Sequence, residues 1–345
     1  VTVTKVLLAE PRGFCAGVEK AIKALAWMVR VIEPPIYCYH EIVHNQVVVK
    51  RFEDLGVIFV DSIDEVPLGA PLMLSAHGTA PSVIEAAQER SPLVINAVCP
   101  LVTKVHHEVK VRAQRGYEII YVGHKGHDEA IGTSAVAPSV VHLIETVEDL
   151  ENLEKFDHDV ALVAQTTLAM DEWSEIREKA ANTYPNLWMA PKSDLCFATT
   201  NRQSALKNIA SRCSTVVVVG SPNSSNTVAL TKVAKSCGVA NVYRINSADE
   251  LPEDIEGVVG VTAGASAPDE LVEEVIAQLN PTDGYEVVVS TTEDEYFPPP
   301  PELRDLVRSL YKLLGFAFGV PPLDPGGPLS KDKETSASQV LERLT

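Results

Sequence analysis

Cys15, Cys99 and Cys196 are the residues of this chain best suited to chemistry, and each stands where an apolar run gives way to a helical pattern. Lys5 to Ala9 leads to Cys15, Leu93 to Val98 to Cys99, and Leu187 to Met189 through Pro191 to Cys196. A cysteine at a helix start meets unpaired N–H groups and the positive end of the helix dipole. Both favour the thiolate, the form that binds metal. Free cysteine is also a common buried small hydrophobe, so any one of the three alone would carry little weight.

The spacing adds that weight. Cys15 to Cys99 is 84 residues and Cys99 to Cys196 is 97. His44 follows Cys15 by 29 residues, His127 follows Cys99 by 28, and Ser224 follows Cys196 by 28. A second polar residue follows each in turn: His77 at 62, Thr166 at 67 and Ser266 at 70. Two registers that agree across three copies predict a pseudo-threefold site with the cysteines at its centre. Cys38, Cys213 and Cys237 have no counterparts in this pattern and read as packing residues.

The elements that must position these residues are strands. Ile36 to Val43 runs into His44, Pro71 to Ala76 into His77, Tyr117 to Val122 into the loop Gly123 to Glu129, and Thr215 to Val219 into Gly220 to Thr227. Continuous apolar strands alternating with helices mark parallel sheets covered on both faces. In such sheets ligands gather beyond the carboxyl ends of the strands. Small residues there, as in Gly220 to Thr227 and Thr262 to Ser266, let backbone N–H groups approach a phosphate. None of these loops matches a Walker or dinucleotide fingerprint.

The expected fold is therefore α/β, with three pseudo-symmetric lobes and mainly parallel sheets around the cysteines. Its divisions fall at residues 1–98, 99–195 and 196–304. Residues 305–345 read as the continuation of a C-terminal helix that opens after Pro301, with Leu303, Leu306, Val307, Leu310 and Leu314 on one face, and a flexible tail past Gly319.

At 345 residues and 46% hydrophobic content the chain can bury full cores. Its formal charge of −18 argues against nucleic acid or acidic membranes as general partners. Neither a membrane span nor a signal peptide is indicated. Six cysteines without the density of a secreted scaffold fit a reducing compartment, so a cytoplasmic protein is expected.

Three converging thiolates could hold zinc or an iron–sulfur cluster. Zinc sites usually draw on C-x-x-C pairs, which the sequence lacks. A cubane normally takes four cysteines, so three would leave one iron open to an exogenous oxygen. His44, His77 and His127 can donate to an anion, and Glu129 is the obvious proton donor.

The motifs Arg-Gly-Phe-Cys15-Ala-Gly-Val, Val-His44-Asn, Ser-Ala-His77-Gly and Cys99-Pro-Leu-Val-Thr-Lys begin an ordered set. It continues with Gly-His-Lys-Gly-His127-Asp-Glu129, Gln165-Thr166-Thr167-Leu168, Cys196-Phe-Ala-Thr-Thr-Asn-Arg-Gln, Ser224-Ser225-Asn226 and Thr-Ala-Gly-Ala-Ser266. Over roughly residues 4–304 this set resembles the 4-hydroxy-3-methylbut-2-enyl diphosphate reductases, the LytB/IspH family. The resemblance implies an iron–sulfur oxidoreductase of the methylerythritol phosphate route to isoprenoids. Its 4Fe-4S cluster would be held by Cys15, Cys99 and Cys196, with one open iron. Reductive removal of the substrate hydroxyl as water would give isopentenyl and dimethylallyl diphosphates. By the same resemblance His44, His77, His127, Thr166, Ser224, Ser225, Asn226 and Ser266 would bind the allylic diphosphate. Glu129 with Thr166 would relay protons, and a ferredoxin- or flavodoxin-type protein would supply electrons.

Two other readings compete. A quinolinate-synthase-like dehydratase would also place three cysteines around a cluster, but a dicarboxylate substrate calls for arginines at the strand ends, where this sequence has His, Ser, Thr and Asn. A non-enzymatic metalloprotein or redox sensor would use the three thiols for structural zinc.

Overall fold

The computed structural model describes residues 2–318 and 327–344. Its first strands are β1 (Val3–Glu10), β2 (Ile36–Tyr39), β3 (Val57–Val60), β4 (Leu72–Leu74) and β5 (Val94–Asn96). Then come β6 (Glu118–Val122), β7 (Val141–Ile144), β8 (Val160–Ala164) and β9 (Trp188–Met189). The last are β10 (Thr215–Val219), β11 (Asn241–Ile245), β12 (Gly257–Ala263) and β13 (Tyr285–Val289). They form three sheets, every pairing of which is parallel. The mixed α/β class with three parallel sheets is the one the alternation of apolar runs predicts.

The chain divides into two compact bodies. One comprises Val1–Cys15, His77–Pro81 and Pro100–Glu293, and the other Ala16–Ala76, Ser82–Cys99 and Asp294–Thr345. The first holds a sheet of order β7-β6-β8-β9 and one of order β11-β10-β12-β1-β13; the second holds β3-β2-β4-β5. All five residues of β8 and all five of β10 are buried, as strands covered on both faces must be.

The three sheets share one strand order, and in each the strand that leads into a cysteine takes the fourth place. β5 precedes Cys99 and β9 precedes Cys196. In the remaining sheet that place belongs to β1, which precedes Cys15 and hydrogen-bonds to β12 and β13 (Val6 opposite Val259 and Tyr285) rather than to its neighbours in sequence. The repeat is therefore closed by the N-terminal strand, a long-range pairing that no local pattern signals.

Each cysteine does precede a helix: Ala16–Val31, Pro100–Gln114 and Phe197–Ala210 begin at the next residue. The C-terminal helix Pro301–Phe318 buries Leu303 and Val307, whereas Leu314 on the expected face is exposed. Where composition predicts a flexible tail, residues 327–344 instead form a short 3-10 turn and the helix Ala337–Glu342. Ala337, Val340 and Leu341 of that helix are buried, and it packs on Ala16–Val31. Its Ser336 cap and three apolar residues outweigh the polar composition around them. The rest of the predicted tail, residues 319–326, lies outside the described residues.

Candidate active site

In the first body the polar residues picked out by spacing collect at strand ends and helix starts. His127 caps the helix Asp128–Ser134, its Nδ1 accepting from the Glu129 N–H at 3.1 Å. That bond leaves the hydrogen of the neutral imidazole on Nε2. The His77 ring stands edge to face with His127, centroids 6.1 Å apart. Gly132 permits this approach: a Cβ there would lie 2.6 Å from the Gly78 carbonyl oxygen.

Glu129 is 3% exposed and faces Thr166, just past β8. The Thr166 N–H donates to Oε1 at 2.7 Å and its hydroxyl to Oε2 at 3.0 Å. Burial pushes the carboxyl pKa up to about 7 against the pull of those two hydrogen bonds, and the charge of Asp194 adds to the rise. An acid with that pKa is protonated in about half of the molecules at neutrality, which suits it to transferring a proton there. The Thr166 carbonyl in turn accepts from the Cys196 N–H at 3.0 Å, so one residue ties the acid to a cysteine.

Cys196 is itself the N-cap of Phe197–Ala210. Its Sγ accepts from the Thr199 N–H at 3.2 Å and lies 3.0 Å from the Thr199 hydroxyl. A helix start by itself favours a thiolate. Instead burial, reinforced by the neighbouring Cys15 thiol, pushes Cys196 up to about 11, and the Thr199 bonds only oppose this. Two neighbouring soft donors, one of them held as a thiol by burial, are a donor set that a bound metal would stabilise, since coordination removes the thiol proton.

Cys15 is fixed from the end of the five-stranded sheet: its N–H donates to the Ala265 carbonyl at 3.2 Å and that of Gly13 to Ala263 at 3.3 Å. Gly13 has φ +65° and a Cβ there would lie 3.2 Å from the Ala267 carbonyl oxygen, so the turn before the cysteine requires glycine.

Ser224 caps the helix Ser225–Ser236 by accepting from the Thr227 N–H at 3.3 Å, and the Ser266 hydroxyl donates to Ser224 Oγ at 3.4 Å. Ser225 Oγ accepts from Gln165 Nε2 at 3.2 Å and from the Thr167 hydroxyl at 2.9 Å. Gly264 keeps this cluster tight, because a Cβ there would collide with Thr227. Hydroxyls around the N-terminus of a twelve-residue helix suit a phosphate. Asn226 is largely committed to the scaffold. Its Oδ1 accepts from the Ala265 N–H at 2.9 Å, and its Nδ2 donates to the Thr199 hydroxyl at 3.3 Å, leaving one amide hydrogen for a ligand.

His44 and Cys99 belong to the second body. His44 Nδ1 lies 3.4 Å from Glu41 Oε2, and Asn45 caps the helix Gln46–Asp54. The Cys99 N–H donates to the Ala76 carbonyl at 3.0 Å, and buried Lys20 donates to the Val98 carbonyl at 2.7 Å. Structure thus joins Cys15, Cys196, Glu129, Thr166, His77, His127, Ser224, Ser225, Asn226 and Ser266 in one body. Of the three cysteines that read as packing residues, Cys38 is fully buried in β2 and Cys213 is half-buried against a hydrophobic core, whereas Cys237 is exposed at the end of its helix and does not pack.

Sequence reasoning assigned no part to Gln165, Thr167, Thr199 or Arg202, though all lie within the motifs quoted above. The signal is a polar residue beside a candidate site residue, Gln165 just past β8 and Thr199 and Arg202 on the Cys196 helix, and all three are 1% exposed or less.

The model of the family described as LytB protein matches residues 6–280. A 4-hydroxy-3-methylbut-2-enyl diphosphate reductase of Mycolicibacterium paratuberculosis is 45% identical over 310 residues, which are 88% of this chain and 93% of that protein. The reductase of the same name from Mycobacterium leprae is 45% identical over 307 residues, 87% of this chain and 92% of its own. Among solved structures, the E-1-hydroxy-2-methyl-but-2-enyl-4-diphosphate reductase of Plasmodium falciparum superposes with a TM-score of 0.85 at 33% identity, covering 90% of this chain and 99% of that one. A match of this extent leaves one assignment: the chain belongs to the LytB family.

Proposed function

We propose that the protein reduces (E)-4-hydroxy-3-methylbut-2-enyl diphosphate to isopentenyl diphosphate and dimethylallyl diphosphate, the last step of the methylerythritol phosphate route. The observation that carries this reading is the buried Glu129 carboxyl, clamped by Thr166 and tied through it to Cys196 in a chain of the LytB family.

Cys15, Cys99 and Cys196 would hold a 4Fe-4S cluster, leaving one iron without a protein ligand. The thiol pair Cys15 and Cys196 fits such a group, being soft, close together and both partly withdrawn from solvent. When bound, the cluster supplies the electrons and a Lewis-acidic iron.

The chain's own residues do the rest. Ser224, Ser225, Ser266 and the remaining amide hydrogen of Asn226 receive the diphosphate at the start of Ser225–Ser236, with His44, His77 and His127 as further donors. Fixing that end orients the allylic alcohol. Glu129 holds a proton near pH 7 and gives it to the leaving hydroxyl, so that the C–O bond breaks with water as the product. Thr166 keeps the acid in place and stabilises the carboxylate left behind. Two electrons and two protons balance the reaction: one proton leaves in water and the other joins the allylic carbon skeleton. A ferredoxin- or flavodoxin-type protein is the electron donor in this reading, and the cytoplasm its setting. Among the described residues no helix is long and apolar enough to cross a membrane.

Anaerobically purified protein, given the substrate and a low-potential reductant, should contain iron with inorganic sulfide and release both five-carbon diphosphates. Zinc without sulfide, or no turnover by cluster-loaded protein, would overturn the proposal.

A further inference from the structure

Arg202 lies six residues after Cys196, on the helix that Cys196 caps, and is 1% exposed. Its guanidinium reaches back to the loop that carries Cys15. Nε and Nη2 donate to the Gly13 carbonyl at 3.1 and 2.9 Å, and Nη2 also donates to the Phe14 carbonyl at 3.2 Å. Nη1 donates to the Ala198 carbonyl at 3.0 Å and to Glu293 Oε1 and Oε2, both at 3.0 Å. Every guanidinium N–H is thereby used. Glu293 is held in turn by Asn201 Nδ2 at 3.0 Å.

We infer that Arg202 is a positioning residue that fixes the Cys15 thiol relative to the Cys196 thiol, with Glu293 neutralising and orienting its guanidinium. The inference rests on the reading of Cys15 and Cys196 as cluster ligands. Its physical basis is the junction that Arg202 spans. The two residues before Cys15 have their carbonyls gripped by a side chain of the Cys196 helix, while Gly13 and Cys15 give their N–H groups to Ala263 and Ala265. A planar fork can satisfy three carbonyls and a carboxylate at once, which a lysine ammonium cannot. Burial of the whole arrangement makes a lost bond costly, since a stranded carbonyl has no water to turn to.

The test uses Arg202→Lys and Glu293→Gln in the full chain, with fold checked by circular dichroism and cluster by visible absorption. Two readouts decide it: the rate of iron loss to a chelator from the loaded protein, and site-resolved alkylation of the metal-free protein. Arg202→Lys should lose iron about tenfold faster, and Cys15 should alkylate about tenfold faster while buried Cys38 stays protected. Glu293→Gln should shift both rates in the same direction by a smaller factor. A general loosening of the fold would expose Cys38 as well, and that result would overturn the positioning role. So would iron retention and Cys15 alkylation within twofold of wild type in either variant that folds; if Arg202→Lys does not fold, Glu293→Gln decides alone. Wild-type protein that takes up no cluster would instead refute the reading of the cysteines.

Discussion

Thr166 donates its peptide N–H and its hydroxyl to separate oxygens of Glu129, at 2.7 and 3.0 Å, and Glu129 is only 3% exposed. Both bonds favour the ionised form, yet burial wins and the pKa rises from 4.5 to about 7. A carboxyl shifted upward favours the folded state while neutral. That contribution is full below about pH 4.5 and is lost as pH rises through about 7. Catalysis has the same sign, because the acid form is the one that works. Turnover should fall on the alkaline side with a midpoint near 7, measured as kcat/KM against pH, the parameter that reports the acid of the free enzyme.

Thr166→Val removes the hydroxyl bond and keeps the peptide one. Losing a donor to the carboxylate raises the Glu129 pKa, so the alkaline limb should move up by about one pH unit. A limb that stays in place would mean that another group sets it.

Substitution of the ligands should be all or none. Cys15→Ser, Cys99→Ser and Cys196→Ser should each lose most of the cluster's visible absorption and iron, whereas Cys38→Ser, Cys213→Ser and Cys237→Ser should keep it. Normal iron content in all of the first three would remove the cysteines from the site.

The C-terminal segment makes a stability prediction. Lys23 and Asp332 have side chains only 5% and 4% exposed and lie 3.3 Å apart, with the Tyr296 hydroxyl donating to Asp332 at 2.9 Å. Asp332→Asn leaves the Lys23 charge with Glu19 at 3.8 Å and two carbonyls, and should cost about 3 kcal/mol in chemical denaturation. Turnover at low temperature should be unchanged. A loss below about 0.5 kcal/mol would show that the pair contributes little to holding the tail.

Much of this was legible in the sequence for a physical reason. Unbroken apolar runs such as Thr215–Val219 announce fully buried parallel strands, and polar residues at their ends announce caps and ligands. What stayed hidden depends on distant partners. Nothing in Val3–Glu10 says that it pairs with β12 and β13, nothing in Asn226 says that its amide turns inward to Thr199 and Ala265, and nothing in Arg202 says that it will be buried against Gly13. The docked tail escaped notice because three apolar residues on a six-residue helix are a weak signal amid polar neighbours.

Glu129→Gln decides whether Glu129 supplies the proton to the departing hydroxyl. Glutamine keeps the size and the hydrogen bonding of the side chain but has no proton to transfer. Measured together with iron content and substrate affinity, kcat should fall by about 100-fold to 10,000-fold while both other quantities persist. Turnover within a few-fold of wild type, with cluster and binding intact, would assign the proton to another donor.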